Sequence, residues 1–456
     1  MEAKDFVDEL VARARKAQEE YEKFSQEQAD AIVRACAKAV YDNAEYLARL
    51  AVDETRMGVY EHKIQKNKGK AKVIWNSLKG KKSVGILSRN EMTGITEIAR
   101  PVGVVGAVTP CTNPVVTPMC NAMFALKGLN AIIIGPHPRS KNTSYETVRL
   151  MNEAIAKLGA PKNLIQIIEE PTVELSSALM HAVDVVVATG GMPMVRSAYS
   201  SGKPAYGVGA GNVQCIFDRG IDLEKEIPMA VEGRAFDNGI ICSGEQTAIM
   251  PKSIFAKAVE IFKKNGALYI DKPEDVQKLT DVVFPNGTID KNIVGQSAKV
   301  VAEKCGFAHG DDLKVILVKA PAYGRECLLS KEKMCPVIAT YDSLADWDEC
   351  IKAANANLNV EGKGHSVCIH SNNTEHIEAA AQVLPVSRFL INQICSTNNG
   401  GSFFNSLSAT TTLGCGSWGN NSISENLSWK HLFNVSRIAY VRPGATMPTD
   451  EEIWGK

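Results

Sequence analysis

Cys242 is the cysteine whose neighbours best suit covalent chemistry. It stands between an Asn-Gly pair at 238–239 and a Ser-Gly pair at 243–244, so a reactant and the Cys242 backbone amide can both be approached closely. A nucleophilic cysteine needs such access together with a hydrogen-bond donor for the oxyanion that forms. A buried loop cysteine has the same local sequence, so these features alone leave both interpretations open.

Asn113 lies in a stiff, proline-rich segment that follows a predicted strand. The segment 109–118 reads Thr-Pro-Cys-Thr-Asn-Pro-Val-Val-Thr-Pro, which places it at the carboxyl edge of a sheet, where open α/β sheets bind ligands. Fixed before Pro114, Asn113 can direct a side-chain N–H at an oxyanion. Its side chain can equally cap the helix that follows.

The other cysteines and the histidines give no metal pattern. The chain has 12 cysteines and no Cys-x-x-Cys pair, and most lie in apolar segments, where a thiol behaves as a small hydrophobic group. The spacing of His365, His370 and His376 matches no zinc template. We therefore expect reduced cysteines, no bound metal and a cytoplasmic protein.

A glycine-rich motif near the C-terminus imitates the dinucleotide fingerprint. Residues 414–419 read Gly-Cys-Gly-Ser-Trp-Gly and follow polar residues at 409–412. The fingerprint works only at the start of the first helix of a βαβ unit. We predict a tight loop there and no phosphate site.

Composition and charge describe a folded protein with no general affinity for polyanions. Lysine plus arginine and aspartate plus glutamate each total 51, so the formal net charge is +0, which argues against nucleic acid or a membrane surface as partner. The 456 residues, 45% of them apolar, suffice for two or three domains. The apolar runs fall far below the ~20 residues that span a bilayer, and the acidic N-terminus is unlike a secretory signal.

Two series of alternating strands and helices must position the candidate residues. A capping box at Ser25 and Gln28 separates two helices predicted within 6–51, and the strands that follow indicate parallel sheets covered on both faces. Three glycines at 207–212 mark the junction of two α/β units, and a cleft between such units is the default ligand site. The predicted strands are 102–108, 131–134, 164–168, 183–189, 247–250, 314–318, 366–369 and 388–392.

With the segments around Cys242 and Asn113 taken together, the sequence resembles the CoA-acylating branch of the aldehyde dehydrogenase superfamily. The resemblance extends over essentially the whole length of the chain. Five ordered segments carry the resemblance: Thr-Asn-Pro-Val-Val-Thr-Pro-Met at 112–119, Ala-Tyr-Ser-Ser-Gly-Lys-Pro at 198–204, Asp-Asn-Gly-Ile-Ile-Cys-Ser-Gly-Glu-Gln at 237–246, Lys-Glu-Lys-Met-Cys-Pro-Val at 331–337, and Thr-Leu-Gly-Cys-Gly-Ser-Trp-Gly-Asn-Asn-Ser-Ile-Ser-Glu-Asn at 412–426.

The resemblance implies an α/β fold with two doubly wound domains and a small oligomerisation arm. It places a nucleotide-binding domain at 1–213, a catalytic cysteine domain at 214–418, and a return segment and oligomerisation tail at 419–456. The arm would combine 84–100 with the tail from about 436, giving a homodimer or homotetramer whose other partners are small molecules.

The resemblance also assigns roles to individual residues. Cys242 matches the family's nucleophile, Asn113 the side-chain donor of its oxyanion hole, and Glu332 the glutamate that holds the nicotinamide ribose. Ser140 stands where NAD-linked hydrolytic relatives carry a carboxylate, and a serine beside Arg139 removes the charge that would repel a 2′-phosphate. NADP or NAD is therefore expected, with NADPH tolerated or preferred. The residues that match the cofactor site are Thr109, Pro110, His137, Arg139, Ser140, Gly190, Gly191, Gly209, Gly211 and Glu332.

One departure from the hydrolytic branch indicates the reaction type. Hydrolytic members carry Glu-Leu-Gly-Gly-Lys, whose glutamate activates water, where this chain reads Gly-Val-Gly-Ala-Gly at 207–211. Without a general base, hydrolysis of a Cys242 thioester loses a contribution of roughly 10²–10⁴-fold. The expected reaction is therefore reversible: an acyl-CoA is reduced to an aldehyde and coenzyme A is released.

The resemblance also implies a succinyl group as the acyl group. Its carboxylate is costly to bury unpaired, and the candidates to hold it are Ser243, next to the nucleophile, and Lys70, in a basic stretch of the region that lines the family's substrate entrance. A solvated helix face is the alternative for Lys70. His365 is the candidate proton donor, because histidine transfers protons near neutral pH. A hydrogen-bonded structural histidine is its alternative.

Two other activities stay open at this stage. An acetaldehyde or propionaldehyde enzyme of the same branch would prefer short aliphatic acyl-CoAs. A thiol acyltransferase would use Cys242 without redox chemistry, and Glu332 argues against that activity.

Overall fold

Three β-sheets and the helices packed on them make up residues 2–455, the part of the chain that the computed structural model describes. The helices are α1 (Ala3–Tyr21), α2 (Gln26–Asp42), α3 (Ala44–Thr55), α4 (Tyr60–Leu78), α5 (Val116–Lys127), α6 (Lys141–Ala156), α7 (Val173–Ala182), α8 (Met192–Tyr199), α9 (Leu223–Ala235), α10 (Lys252–Lys264), α11 (Pro273–Val283), α12 (Ala298–Cys305), α13 (Trp347–Leu358), α14 (Thr374–Val383), α15 (Cys395–Asn398) and α16 (Asp450–Trp454). The strands are β1 (Gly85–Asn90), β2 (Ile95–Pro101), β3 (Val104–Val108), β4 (Ala131–Gly135), β5 (Ile165–Ile167), β6 (Val185–Thr189), β7 (Ala205–Val208), β8 (Val213–Phe217), β9 (Glu245–Ile249), β10 (Ala267–Ile270), β11 (Val315–Lys319), β12 (Val337–Thr340), β13 (Gly364–His370), β14 (Val386–Ile391) and β15 (Phe433–Ala439).

The first sheet has five parallel strands in the order β5-β4-β3-β6-β7. Strands β3 and β4 are buried along their whole length, because their β-branched residues suit a sheet covered on both faces. The chain moves outward from β3 to β5 and then returns to the other side of β3 with β6. The carboxyl ends of these strands therefore border a topological switch point, where such sheets bind ligands.

The second sheet has seven parallel strands in the order β10-β11-β12-β9-β8-β13-β14. Its strands contribute to two hydrophobic clusters, one shared with α11 to α14 and one with α9 and α10. The chain passes from the first sheet to the second between Val208 and Val213, within the glycine-rich segment. The turn that carries Cys242 directly precedes β9. The domain bounds given by the resemblance stay a prediction.

A third, antiparallel sheet in the order β1-β2-β15 joins two strands at 85–101 to a strand near the C-terminus. Strands β1 and β2 form a hairpin, and β15 pairs with the other edge of β2. Strand β15 begins at Phe433, slightly before the tail expected from about 436. Large apolar side chains around this sheet are exposed, among them Met92 and Tyr440.

The N-terminal region contains three helices where the sequence analysis expected two. The Gln28 N–H donates to Ser25 Oγ at 3.3 Å and the Ser25 N–H donates to Gln28 Oε1 at 2.8 Å, so the predicted capping box is confirmed. The second predicted helix is split at Asn43, whose side chain donates to the Ala39 carbonyl at 2.8 Å and ends α2. Apolar residues keep helical spacing across Asn43, which is why periodicity alone did not reveal the break.

Each predicted strand exists, with ends that differ by a few residues, and the sequence analysis missed several short strands such as β7 and β10. The motif at 414–419 ends in a single 3-10 turn, Ser417–Gly419, so the loop prediction is confirmed. No helix within residues 2–455 has the length and apolar character to cross a bilayer.

Candidate active site

Cys242 lies on a tight turn at the start of β9. The Gly244 N–H donates to the Ile241 carbonyl at 2.9 Å, which leaves Cys242 and Ser243 at the tip. All twelve cysteines are free, and ten are buried, whereas Cys111 and Cys242 are partly accessible. The accessibility of Cys242 therefore distinguishes it from the buried structural cysteines. Its local sequence could not make this distinction.

A buried charge cluster around Asp237 fixes the segment before this turn. Asp237 and Asn238 have left-handed φ angles of 52° and 53°, a conformation that Asp and Asn tolerate better than most other residues with a side chain. The Asp237 carboxylate accepts hydrogen bonds from the Val59 N–H at 2.9 Å, Lys63 at 3.1 Å and Lys66 at 2.5 Å. Burial acts to raise the pKa of Asp237, but Lys66 and Lys63 outweigh it and lower the pKa to about 2. Ionised Asp237 thus ties the cysteine segment to α4.

A cavity of about 250 Å³ opens beside Cys242. Asn113, Ser243 and Lys70 line it together with Cys242, so the structure brings together four of the residues selected from the sequence. Lys66 adds a second ammonium group. Among the described residues that line the cavity there is no carboxylate. The cavity is therefore basic, and it offers no aspartate or glutamate to activate water.

The Asn113 side chain is available to a ligand in the cavity. Helix α5 has no side-chain cap, so the capping alternative for Asn113 is wrong. Its Nδ2 donates to Thr112 Oγ1 at 3.3 Å, a long hydrogen bond that leaves the second N–H of the amide for another acceptor.

Lys70 and Ser243 reach the cavity with part of their hydrogen-bonding capacity engaged. Lys70 Nζ donates to the Gly400 carbonyl at 3.1 Å and the Thr410 carbonyl at 3.4 Å, so the solvated-face alternative for Lys70 is wrong. Burial lowers the pKa of Lys70 to about 8. Ser243 Oγ donates to the Ser396 carbonyl at 3.1 Å. An ammonium group has three N–H donors, so Lys70 keeps one for a substrate.

The environment of Cys242 disfavours its thiolate. Burial, Glu332 and Cys415 raise the pKa of Cys242 to about 12, and Arg388 acts in the opposite direction. The resting thiol is therefore protonated at neutral pH, and a nucleophilic thiolate depends on the positive charges that face it.

His365 is buried at the start of β13 and does not line the cavity. Burial and then Arg388 lower the pKa of His365 to about 3, so the expectation that it titrates near neutral pH is wrong. Neither ring nitrogen has a hydrogen-bond partner, so the hydrogen-bonded structural alternative is wrong too. What remains is a neutral imidazole with two unpaired nitrogens.

The predicted cofactor residues gather at the carboxyl edge of the first sheet. Thr109 and Pro110 follow β3, His137 follows β4, Gly190 and Gly191 follow β6, and Gly209 and Gly211 follow β7. A methyl group added at Gly190 would lie 4.0 Å from its nearest neighbour, so the backbone before α8 can be approached closely.

Glu332 reaches this edge from the second sheet. Its Oε1 accepts the Gly211 N–H at 3.3 Å, which leaves acceptor sites on the carboxylate. Burial and then Glu361 raise the pKa of Glu332 to about 8. The buried Thr109 hydroxyl has no partner. Unpaired acceptors, an orphan hydroxyl and an open glycine backbone fit a nicotinamide dinucleotide.

The residues predicted to lie near the 2′ position of the cofactor's adenosine ribose, 139–141, are only partly placed as expected. Ser140 is fully buried and its hydroxyl donates to the His137 carbonyl at 3.3 Å, so it is not presented to a ligand. Arg139 is exposed, whereas Lys141 pairs with Glu170. Within residues 2–455, Arg139 is thus the cation beside Ser140 with no ion-pair partner.

A cluster of soft donor groups lies in the core of the second sheet. The ligand atoms of Cys215, Cys368 and His370 lie within 4.8 Å of one another. Both ring nitrogens of His370 are already engaged in hydrogen bonds, Nε2 with Cys368 Sγ at 3.4 Å and Nδ1 with Glu226 at 2.7 Å. A structural zinc site takes four ligands, and this group supplies three, so we assign no metal to it.

The structure adds cavity residues that the sequence analysis did not select. Lys66 lies one helical turn before Lys70 on α4, and that spacing was visible in the sequence. Phe403 and Phe404 come from the loop after α15, and Thr410 and Thr411 follow it. No local pattern marks these loop residues, because only the packing of distant segments brings them to Cys242.

Comparison with known proteins identifies the family. Residues 2–282 match the family model "Aldehyde dehydrogenase family", and the chain belongs to this family. It is 50% identical over 451 residues to the succinate-semialdehyde dehydrogenase (acetylating) of Clostridium kluyveri, covering 98% of this chain and 99% of that protein.

Solved structures share the fold over nearly the whole chain. An acetylating aldehyde dehydrogenase from Geobacillus thermoglucosidasius is 36% identical with a TM-score of 0.93, and the match covers 98% of each chain. A propionaldehyde dehydrogenase from Rhodopseudomonas palustris, solved with bound CoA and an acylated cysteine, is 30% identical with a TM-score of 0.86, and the match covers 96% of this chain and 97% of that one. The α/β fold is therefore that of acylating aldehyde dehydrogenases.

Proposed function

We propose that the chain is a CoA-acylating succinate-semialdehyde dehydrogenase, which reversibly reduces succinyl-CoA to succinate semialdehyde and CoA with NAD(P)H. The observation that carries the proposal is the cavity, in which a partly accessible cysteine faces two lysines and no carboxylate. The Clostridium kluyveri relative supports the succinyl group. The acylated cysteine of the Rhodopseudomonas palustris enzyme supports a covalent route.

In the reductive direction, the Cys242 thiolate attacks the thioester carbonyl of succinyl-CoA. Asn113 Nδ2 and the Cys242 N–H are the proposed donors to the oxyanion. The carbon–sulfur bond to CoA then breaks, and the succinyl group stays on Cys242. Because one thioester replaces another, the step is nearly balanced in free energy and runs in either direction.

Glu332 and the glycines at 190–191 and 209–211 are the proposed contacts of the nicotinamide cofactor. A reduced nicotinamide held there would supply a hydride to the carbonyl carbon of the Cys242 thioester, which gives the alkoxide of a thiohemiacetal. Cys242 leaves as a thiolate when this adduct collapses to the aldehyde. The departing CoA thiolate takes up its proton from solvent, because His365 does not line the cavity and burial keeps its imidazole neutral.

The succinyl carboxylate is proposed to lie at Lys70. The third N–H of this ammonium group is the natural donor, and the Ser243 backbone N–H supplies a second contact. A charge-assisted hydrogen bond of this kind in a partly buried site would select succinyl-CoA over an acyl-CoA of equal length without the carboxylate.

We further propose a homodimer or homotetramer assembled through the third sheet, in a cytoplasmic setting. The exposed apolar side chains around that sheet suit a subunit interface, and the free cysteines suit a reducing compartment. Light scattering of the purified chain tests the assembly. A monomer at micromolar concentration would contradict it.

The activity is tested by following NAD(P)H absorbance with succinyl-CoA, butyryl-CoA and acetyl-CoA, for the natural chain and Cys242→Ala. We expect the highest kcat/KM with succinyl-CoA and no turnover in Cys242→Ala. Preference for acetyl-CoA would indicate an acetaldehyde enzyme instead. CoA exchange without oxidation of NAD(P)H would indicate an acyltransferase.

A further inference from the structure

Arg388 is a buried cation without a carboxylate partner. It lies on β14, its side chain is 3% exposed, and within residues 2–455 no aspartate or glutamate lies at ion-pair distance from it. Its acceptors are all neutral: Nε donates to Ser366 Oγ at 3.2 Å, Nη1 to the Gly414 carbonyl at 2.7 Å and to Asn426 Oδ1 at 3.3 Å, and Nη2 to the His365 carbonyl at 2.8 Å.

A buried charge with no counter-ion is costly, so a group that becomes anionic during the reaction is the natural partner. Arg388 is held by the carbonyl of Gly414, the residue directly after Leu413, and Leu413 and Cys242 line the same cavity. The guanidinium group is therefore hydrogen-bonded to the segment that forms part of the wall of this cavity.

We infer that Arg388 supplies the permanent positive charge that stabilises the Cys242 thiolate, and that this thiolate is its missing counter-ion. The inference rests on the proposed role of Cys242 as the nucleophile. Ionisation of Cys242 releases its proton to solvent, and no other bond changes. Arg388 is a positioning residue in this scheme, because it acts through Cys242 and not on the substrate.

The ionisable groups near this pair agree with the assignment. The groups whose charges act on Arg388 are the thiols of Cys415, which also hydrogen-bonds to it, Cys242 and Cys395. Cys395 and Cys415 are buried, and burial raises the pKa of both thiols and so disfavours their ionisation. Glu332 and Cys415 disfavour the Cys242 thiolate, whereas Arg388 favours it. Lys70, which faces Cys242 from α4, is the second cation.

The geometry also gives Arg388 a second effect, on His365. Its Nη2 fixes the His365 carbonyl, and its charge acts with burial to keep the ring neutral. One guanidinium group would therefore favour both the anionic sulfur of Cys242 and the neutral form of the His365 imidazole.

The test measures the ionisation of Cys242 and needs no turnover. Iodoacetamide is attacked by a thiolate, which forms a carbon–sulfur bond and expels iodide, and the modified peptide is resolved by mass spectrometry from that of Cys111, the other partly accessible cysteine. The rate is followed from pH 6 to pH 10 for the natural chain, Arg388→Lys and Arg388→Met. We expect Arg388→Met to slow alkylation of Cys242 at pH 8 at least tenfold, and Arg388→Lys to stay within threefold.

A second variant keeps the arginine and neutralises its charge. Asn426→Asp places a carboxylate at the Nη1 acceptor of Arg388 and is expected to slow alkylation at least fivefold. Equal alkylation rates in Arg388→Met, Asn426→Asp and the natural chain would overturn the inference. Equal slowing by Arg388→Lys and Arg388→Met would also overturn it, because that result would indicate a purely structural role for Arg388. Failure of succinyl-CoA reduction with these alkylation results intact would instead remove the proposed substrate.

Discussion

Gly211 packs so tightly against Cys242 that a methyl group on Gly211 would lie 1.8 Å from the Cys242 carbonyl oxygen. The same glycine donates its N–H to Glu332. The backbone of the proposed nucleophile and the proposed ribose contact are therefore held by a single residue, at the point where the chain passes from the first sheet to the second.

Gly211→Ala is expected to lower kcat at least a hundredfold. The added methyl group must push the turn that carries Cys242, and a misplacement of about 1 Å costs roughly 10²-fold in rate. Turnover and denaturant unfolding are measured together. Gly69→Ala is the stability control, because a methyl group at Gly69 on α4 meets no atom within 4 Å and should leave unfolding unchanged or raise stability by about 1 kcal/mol. Full activity of Gly211→Ala would contradict this geometry.

Lys70→Met is expected to lower kcat/KM for succinyl-CoA about tenfold to a hundredfold, the value of one hydrogen bond to a charged group. With butyryl-CoA, which lacks the carboxylate, the change should stay within about threefold. Lys68→Met is the matched control on the same helix, because Lys68 faces outward and pairs with Glu45. An equal loss with both substrates would show that Lys70 only supports the loops whose carbonyls it binds.

Asp237→Asn is expected to destabilise the fold by about 3 kcal/mol at pH 7, because it leaves Lys63 and Lys66 without their buried counter-ion. The native state lowers the pKa of Asp237 from 3.8 to about 2, so the stability that its ionisation contributes is fully present above about pH 4 and is lost as pH falls toward 2.

Denaturant unfolding at pH 7 and pH 3 measures both effects of Asp237. The difference between the natural chain and Asp237→Asn should shrink at the lower pH. Asp8→Asn serves as the control, since Asp8 forms an exposed pair with Lys4 and should change stability by less than about 1 kcal/mol. A pH-independent difference would mean that packing, and not charge, is what Asp237 contributes.

Glu332→Gln is expected to raise KM for NAD(P)H about tenfold and to leave acylation of Cys242 intact. KM is measured above pH 8, where Glu332 is ionised, because a carboxylate accepts from two ribose hydroxyls, whereas an amide offers one oxygen. A thiol reagent that follows the first release of CoA from succinyl-CoA reports acylation alone. Glu361→Gln controls for the loop, because Glu361 accepts the Glu332 N–H at 2.8 Å and glutamine keeps an acceptor. Loss of the CoA burst in Glu332→Gln would place Glu332 in acylation instead.

The sequence predicted the fold from local patterns and the reaction type from its resemblance to the CoA-acylating branch. Buried β-branched runs and helical periodicity predicted the strands and helices, and the replacement of the hydrolytic glutamate by glycine at 207 predicted acyl transfer. The split at Asn43 was missed because a capping side chain can end a helix while apolar spacing continues.

The candidate site was predicted less completely, because burial and charge in a site are sums over distant segments. His365 was chosen for a pKa near neutrality, yet burial and Arg388 lower its pKa to about 3. Ser140 was expected to face a ribose, yet its hydroxyl is used by His137. Neither outcome depends on the residues adjacent in sequence.

What the sequence alone determined is the identity and order of the chemical groups: one cysteine beside flexible backbone, one asparagine before a proline, and no water-activating carboxylate in the segment that should hold it. What only the tertiary structure decided is which groups share a cavity and which charges face each other. The roles proposed for Lys70 and Arg388 depend on this packing, because the energy of a buried charge depends on the atoms around it. Those atoms belong to segments hundreds of residues apart in the sequence.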